Sequence, residues 1–186
     1  MAKHRRLQLA VVGSGRCGAR LRGLARGVGA EAARAGAVLL TGGRGGVMAA
    51  ASAGARAAGG LTVGILPGAD AAASPPNPAV EVAVFTGIGQ ARNQVLVLSA
   101  AAVIAVGGGW GTLSEIALAL KHRIPVVSLE SWWPERPDGE AEPLLARAAT
   151  PRQAVAAALA AARRRRGGPA GKSKAAGRDP KREGKA

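Results

Sequence analysis

The sequence predicts an α/β fold, a Rossmann-like parallel sheet with helices on both faces, and three observations carry that expectation. Short apolar runs alternate with segments of helical length, the order expected of a parallel sheet. The runs are continuously apolar, as strands covered on both faces should be. Glycines gather just after the runs, where ligands bind beyond the carboxyl ends of strands in open parallel sheets.

Residues 7–12 read as a first strand that ends in Gly13-Ser14-Gly15. Residues 16–35, rich in Ala, Leu and Arg, read as a helix in spite of their glycines. Residues 37–40 form a second buried strand, closed by Thr41-Gly42-Gly43-Arg44-Gly45-Gly46. An alanine-rich helix over 47–58 stops at Gly59-Gly60, the usual glycine end of a helix. A third strand, 61–66, halts at Pro67-Gly68, and residues 69–78, with Pro75, Pro76 and Pro78, form a loop. A fourth strand over 80–85 precedes a helix over 90–99 and a fifth strand over 102–106. A helix over 113–121 and a sixth strand over 125–129 follow. Residues 131–151 read as irregular; Trp132 and Trp133 there suit an interface or a lid packed on the last helix, 152–165.

The chain's 186 residues fit one domain with a single core. The apolar residues are mostly Ala, Val and Leu, with no tyrosine and one phenylalanine, Phe85. The 28 glycines are too many for a bundle of long helices and are expected mainly at strand-end turns. Net charge is +15, and ten Lys/Arg against Asp179 and Glu183 fall within residues 163–186. The division is therefore a nucleotide-binding domain over 1–162 and a basic, disordered tail over 163–186. The tail suits either a solubilising extension or loose, nonspecific nucleic-acid contact.

A lone Cys17 excludes an internal disulfide, and His4 and His122 have no metal-ligand spacing. No apolar run approaches a membrane span. The start Met-Ala-Lys-His-Arg-Arg lacks a signal-peptide pattern, so a cytoplasmic protein is expected. No metal and no resident cofactor are expected.

The turn Gly107-Gly108-Gly109-Trp110-Gly111-Thr112 joins a strand to a helix. Glycines allow close backbone approach, and a helix N-terminus favours an anion, so a phosphate is the expected guest. Thr112-Leu113-Ser114-Glu115 also matches a capping box with Thr112 as N-cap. Glu115 is thus either a helix cap or a ligand contact. Gly13-Ser14-Gly15-Arg16-Cys17-Gly18 satisfies GxGxxG. No Asp or Glu lies between Glu31 and Asp70, so the acid that would hold an NAD ribose is missing. Arg92, in Gly89-Gln90-Ala91-Arg92-Asn93, begins a helix on the same rim. It suits either the surface or the site, and Asn93 suits a cap or turn.

With these residues set out, the chain resembles the LOG-like family, also labelled "possible lysine decarboxylase", over residues 7–129. The family signature PGGxGTxxE is matched by Gly107 to Glu115, with Arg92 at the family's offset before it. The family's GGxxGxM is matched by Gly42-Gly43-Arg44-Gly45-Gly46-Val47-Met48. Residues 59–67 resemble its glycine pair, strand and proline.

Characterised members are cytokinin riboside 5′-monophosphate phosphoribohydrolases. The resemblance implies that Gly108, Gly109, Gly111 and Thr112 hold a phosphate, with Gly13, Ser14, Gly42, Gly43 and Met48 also in the ligand site. It further implies Arg92 and Glu115 as catalytic residues at the ribose–base bond. Two departures, Gly107 for proline and Asn93 for lysine, resemble a side branch that includes molybdenum-cofactor carrier proteins. Those hold a phosphorylated pterin without hydrolysing it.

The expected function is hydrolysis of a nucleoside 5′-monophosphate-like ligand to free base and ribose 5-phosphate. The alternative is a non-catalytic carrier of a phosphorylated nucleotide or pterin. The resemblance also implies a homo-oligomer, dimer or tetramer. Nothing in the chain resembles a pyridoxal-phosphate lysine site.

Overall fold

A computed structural model describes residues 6–167. His4 and most of the basic tail lie outside the described residues. The elements are β1 (Gln8–Gly13), α1 (Ala19–Arg34), β2 (Val38–Thr41), α2 (Val47–Ala57), β3 (Thr62–Leu66) and β4 (Val82–Phe85). They continue with α3 (Arg92–Leu98), β5 (Ala102–Val106), α4 (Trp110–Lys121), β6 (Val126–Leu129), β7 (Leu145–Ala148) and α5 (Pro151–Gly167). The seven strands form one sheet in the order β4-β3-β2-β1-β5-β6-β7, and every pairing is parallel. The Rossmann-like architecture is as the sequence predicts.

Successive strand residues point to opposite faces, and both faces are apolar. Leu9, Val11, Ile104 and Val106 pack with Val28 of α1, Val47 and Ala51 of α2, and Ala154 and Ala158 of α5. Ala10, Val12, Val103 and Ala105 pack on the other face with Leu96 and Val97 of α3 and Ile116 and Ala119 of α4. Burying each Val, Leu or Ile contributes about 1.5–3 kcal/mol. The order reverses between β1 and β5, and this switch point opens a crevice at their carboxyl ends.

Three expectations are corrected. Residues 131–151 are not wholly irregular, because Leu145–Ala148 adds a seventh, parallel strand beside β6. The helix after β5 begins at Trp110, with Gly109 as its N-cap. Thr112 therefore lies inside the helix, and the capping box does not form. The glycines of α1 and α2 are also more than tolerated. A Cβ on Gly29 would stand 1.9 Å from the Ala51 carbonyl oxygen, and one on Gly54 would stand 1.9 Å from that of Arg26. The two helices cross backbone against backbone at these positions.

Two helix ends share a motif. Ala37 N–H donates to Ala32 O after α1, and Gly60 N–H donates to Ala55 O after α2. Each turn has a left-handed glycine, Gly36 at φ +74 and Gly59 at φ +73. The paired bonds satisfy carbonyls that the helix leaves open.

Alanine at Gly29 should lower stability by about 1–2 kcal/mol, because overpacking against a backbone carbonyl outweighs the helix-propensity gain of ~1 kcal/mol. Gly23→Ala, with nothing within 4 Å of the added Cβ, should instead raise it by about 0.5–1 kcal/mol. Urea unfolding of both variants checks the opposite signs.

Candidate functional site

The carboxyl ends of β1 and β5 meet so closely that only glycine fits between them. A Cβ on Gly13 would lie 2.4 Å from the Val106 carbonyl oxygen and 2.6 Å from Val47 Cγ1. Val47 N–H donates to Ser14 O at 3.0 Å, which ties the turn after β1 to the start of α2. Above these turns opens a cleft of about 600 Å³. Its wall includes Gly13, Ser14, Met48, Arg92, Gly109, Gly111, Thr112 and Glu115. These are residues expected from the sequence, brought together from four separate segments.

The other expected residues stand behind the wall and make room for it. A Cβ on Gly42 would lie 2.2 Å from Arg92 Nη1, so the guanidinium rests directly on that glycine. Gly43, at φ +70, would meet the Leu66 side chain at 2.9 Å, and Gly108, at φ +117, would meet Thr112 Oγ1 at 2.5 Å. The GxGxxG turn opens into the same cleft through Gly13, Ser14, Gly15 and Arg16.

The glycine turn is held from behind. The Ser131 hydroxyl donates to Gly107 O, and the Trp132 indole N–H donates to Gly109 O at 3.1 Å. Trp132 also packs on Trp110, ring centroids 5.3 Å apart, while Arg147 covers Trp133 at 4.4 Å. Both tryptophans thus brace the end of the sheet, and neither contact is with α5. The start of α4 has no side-chain cap, and the N–H groups of Gly109, Trp110, Gly111 and Thr112 make no backbone hydrogen bond. Free N–H groups at the positive end of a helix suit an anion.

Arg92 and Glu115 are each only 6% exposed. They share the wall without a direct ion pair, and Arg92 Nε and Nη1 have no hydrogen-bond partner. Burial pushes the Glu115 carboxyl up to about 7, with the nearby Arg92 partly opposing it. Burial likewise lowers the Arg92 pKa, Glu115 opposes that, and Arg44 adds to it. The buried amide oxygen of Asn93 is also unpaired, so an acceptor and two donors lie unsatisfied in this part of the wall.

Sequence reasoning missed Arg44, Gly45 and Gln90 on this wall, and it treated Arg16 only as part of the fingerprint. It gave Asn93 a cap or turn role. The available signal was an arginine inside a glycine turn at a strand's carboxyl end, at Gly15-Arg16 and Gly43-Arg44-Gly45. Asn77 was missed too. Its side-chain amide donates to Gly43 O at 3.1 Å and Arg44 O at 3.0 Å, pinning the turn that carries Arg44. Among the described residues no cluster of His, Cys, Asp and Glu could hold a metal. No helix there is long and apolar enough to cross a membrane.

A model of the SLOG cluster4 family matches residues 6–160. The chain belongs to that family. It is 44% identical over 124 residues to an uncharacterised protein of Archaeoglobus fulgidus, covering 67% of this chain and 80% of that one. A molybdenum cofactor binding protein from Rippkaea orientalis is similar in structure, with TM-score 0.75 and 37% identity over 85% of this chain and 98% of its own. The molybdenum cofactor carrier protein of Chlamydomonas reinhardtii gives TM-score 0.74 and 37% identity over 84% and 98%. This SLOG cluster4 chain thus shares the family resemblance read from its glycine turns.

Glu115 makes stability depend on pH with a definite sign. Its folded pKa, about 7, lies above its ordinary 4.5, so folding favours the protonated form. The contribution of Glu115 to stability should be full below pH 4.5, fall by about 3 kcal/mol towards pH 7 and level off above it. Glu115→Gln should remove that fall and be more stable than the wild type at pH 8 in urea titrations. Matching slopes for the two proteins would contradict the assignment.

Proposed function

We propose that this chain binds a phosphorylated ligand with a planar heterocycle in the cleft and carries it intact, with the molybdenum cofactor as cargo. The observation that carries this reading is the charge balance of the wall. Arg16, Arg44 and Arg92 face one carboxylate, Glu115, which is about half protonated near neutral pH. A ligand with a phosphate at one end and a second anionic group answers that balance.

The phosphate would sit at the start of α4, on the free N–H groups from Gly109 to Thr112. Arg92, on the cleft wall, would donate to the ligand from its guanidinium, whose Nε and Nη1 have no partner within the protein. The Asn93 amide oxygen would accept from a ring N–H, as pterins and purines offer. Similarity to the Rippkaea and Chlamydomonas proteins supports the same class of cargo.

A second reading is hydrolysis of a nucleoside 5′-monophosphate, favoured by Arg92 and Glu115 meeting on one wall. An ionised Glu115 would stabilise positive charge developing on the ribose as the N-glycosidic bond breaks, and Arg92 would assist the departing base. Incubation with AMP, GMP, CMP and UMP, followed by chromatography, separates the readings. Carriage predicts no free base above the protein-free control and molybdenum cofactor retained through gel filtration. Free base with ribose 5-phosphate, and no retained cofactor, would establish hydrolysis instead.

Gly111 gives a direct probe of the anion site. A Cβ there meets nothing within 4 Å, and an acid in a helix's first turn favours the helix. Gly111→Asp should keep or raise stability yet weaken ligand binding by about tenfold or more through charge repulsion. Calorimetric titration with the cofactor or AMP, alongside a melting curve, measures both effects.

A further inference from the structure

At the amino ends of β6 and β7, away from the cleft, α5 and the turn after α4 enclose a groove of about 640 Å³. Its floor is apolar, with Pro125, Val127, Leu144, Ala146, Ala157 and Ala161. Its rim is cationic, with Arg123, Arg164 and Arg165. None of these three guanidinium groups takes part in an ion pair or side-chain hydrogen bond among the described residues. The volume lies within the range of small-molecule sites.

Arg164 and Arg165 have a reason to be there without any ligand, since they stand in the last turn of α5, where cations favour the helix end. Arg123 stands just past the end of α4 and shares that helix-end attraction, but its backbone conformation sets it apart from the other two. Ile124 N–H donates to Ala119 O at 2.8 Å and Arg123 N–H donates to Leu120 O at 3.0 Å. This is the same ending that closes α1 and α2, where the left-handed residue is Gly36 or Gly59. After α4 that residue is Arg123, at φ +56. A side chain with a Cβ is strained in this conformation, so the fold alone would select glycine. The departure puts a cation on the rim of an apolar groove, and strain of this kind points to a function.

We propose that the groove is a second binding site, for a small amphipathic carboxylate. Its apolar body would lie on the proline, leucine and alanine floor. Its carboxylate would meet Arg123 with Arg164 and Arg165 through charge-assisted hydrogen bonds. The chain's own residues 168–186 are the wrong occupant by charge, since they carry six Lys/Arg against two acids and would face a cationic rim. A second copy seated with this groove on the twofold axis would bring its arginines towards these ones.

Amide NMR of the full chain tests this, with decanoate as the probe and decan-1-ol as its uncharged counterpart. Decanoate should shift amides within residues 123–127, 144–146 and 157–165 and leave 13–16 and 109–115 unmoved. Decan-1-ol should bind about tenfold more weakly or worse. Arg123→Gly should keep or raise the melting temperature while weakening decanoate binding by about tenfold. The paired substitution Arg164→Gln with Arg165→Gln should weaken it independently. Equal binding of acid and alcohol, unchanged binding by Arg123→Gly, or shifts centred elsewhere would overturn the proposal. Shifts of the same amides with protein concentration alone would overturn it in favour of a second copy.

Discussion

The Arg92 guanidinium lies on the backbone of Gly42, almost wholly out of water, with two of its nitrogens unpaired. Much of the site follows from that placement. A side chain at position 42 would occupy the space the guanidinium fills. Burying charge without partners costs several kcal/mol, and Glu115 shares the cost, since its carboxyl is pushed towards neutrality. The wall therefore holds a buried cation beside a carboxyl driven towards its neutral form. An anion that reached Arg92 would relieve the cation's share of that cost.

The surrounding backbone makes this arrangement possible. Gly13 lets β1, β5 and α2 converge at the switch point, and the left-handed Gly107 and Gly108 turn the chain into α4 with its first N–H groups uncovered. Ser131 and Trp132 occupy the carbonyls of the turn, which leaves its donors to face the cleft. Asn77 reaches from a long loop to fix the turn carrying Arg44. Carriage and hydrolysis would use the same frame. They differ in whether Glu115 must be ionised during a chemical step.

Most of the layered order was legible because parallel strands here are unbroken apolar runs, and the helices between them are rich in alanine. β7 escaped notice because Leu-Ala-Arg-Ala is a short edge strand with two exposed positions and no apolar run. The start of α4 was misread because glycine at its second position argues against a helix, while Thr112 and Glu115 mimic a capping box. Gly29 and Gly54 gave no signal, since their purpose depends on a helix crossing that no local pattern encodes. Most of the cleft was read from the glycine turns. The burial of Arg92 was not readable, because nothing in Gly-Gln-Ala-Arg-Asn says that the side chain folds back over Gly42. Arg44 was passed over as an arginine in a turn.

The most direct test of this account compares melting temperatures of the wild type and Arg92→Met, each with and without the molybdenum cofactor. The account predicts that the ligand-free variant is at least as stable as the wild type, because a buried, unpaired charge has been removed. It also predicts that the cofactor raises the melting temperature of the wild type alone. A variant that is less stable when free yet still stabilised by the cofactor would contradict it.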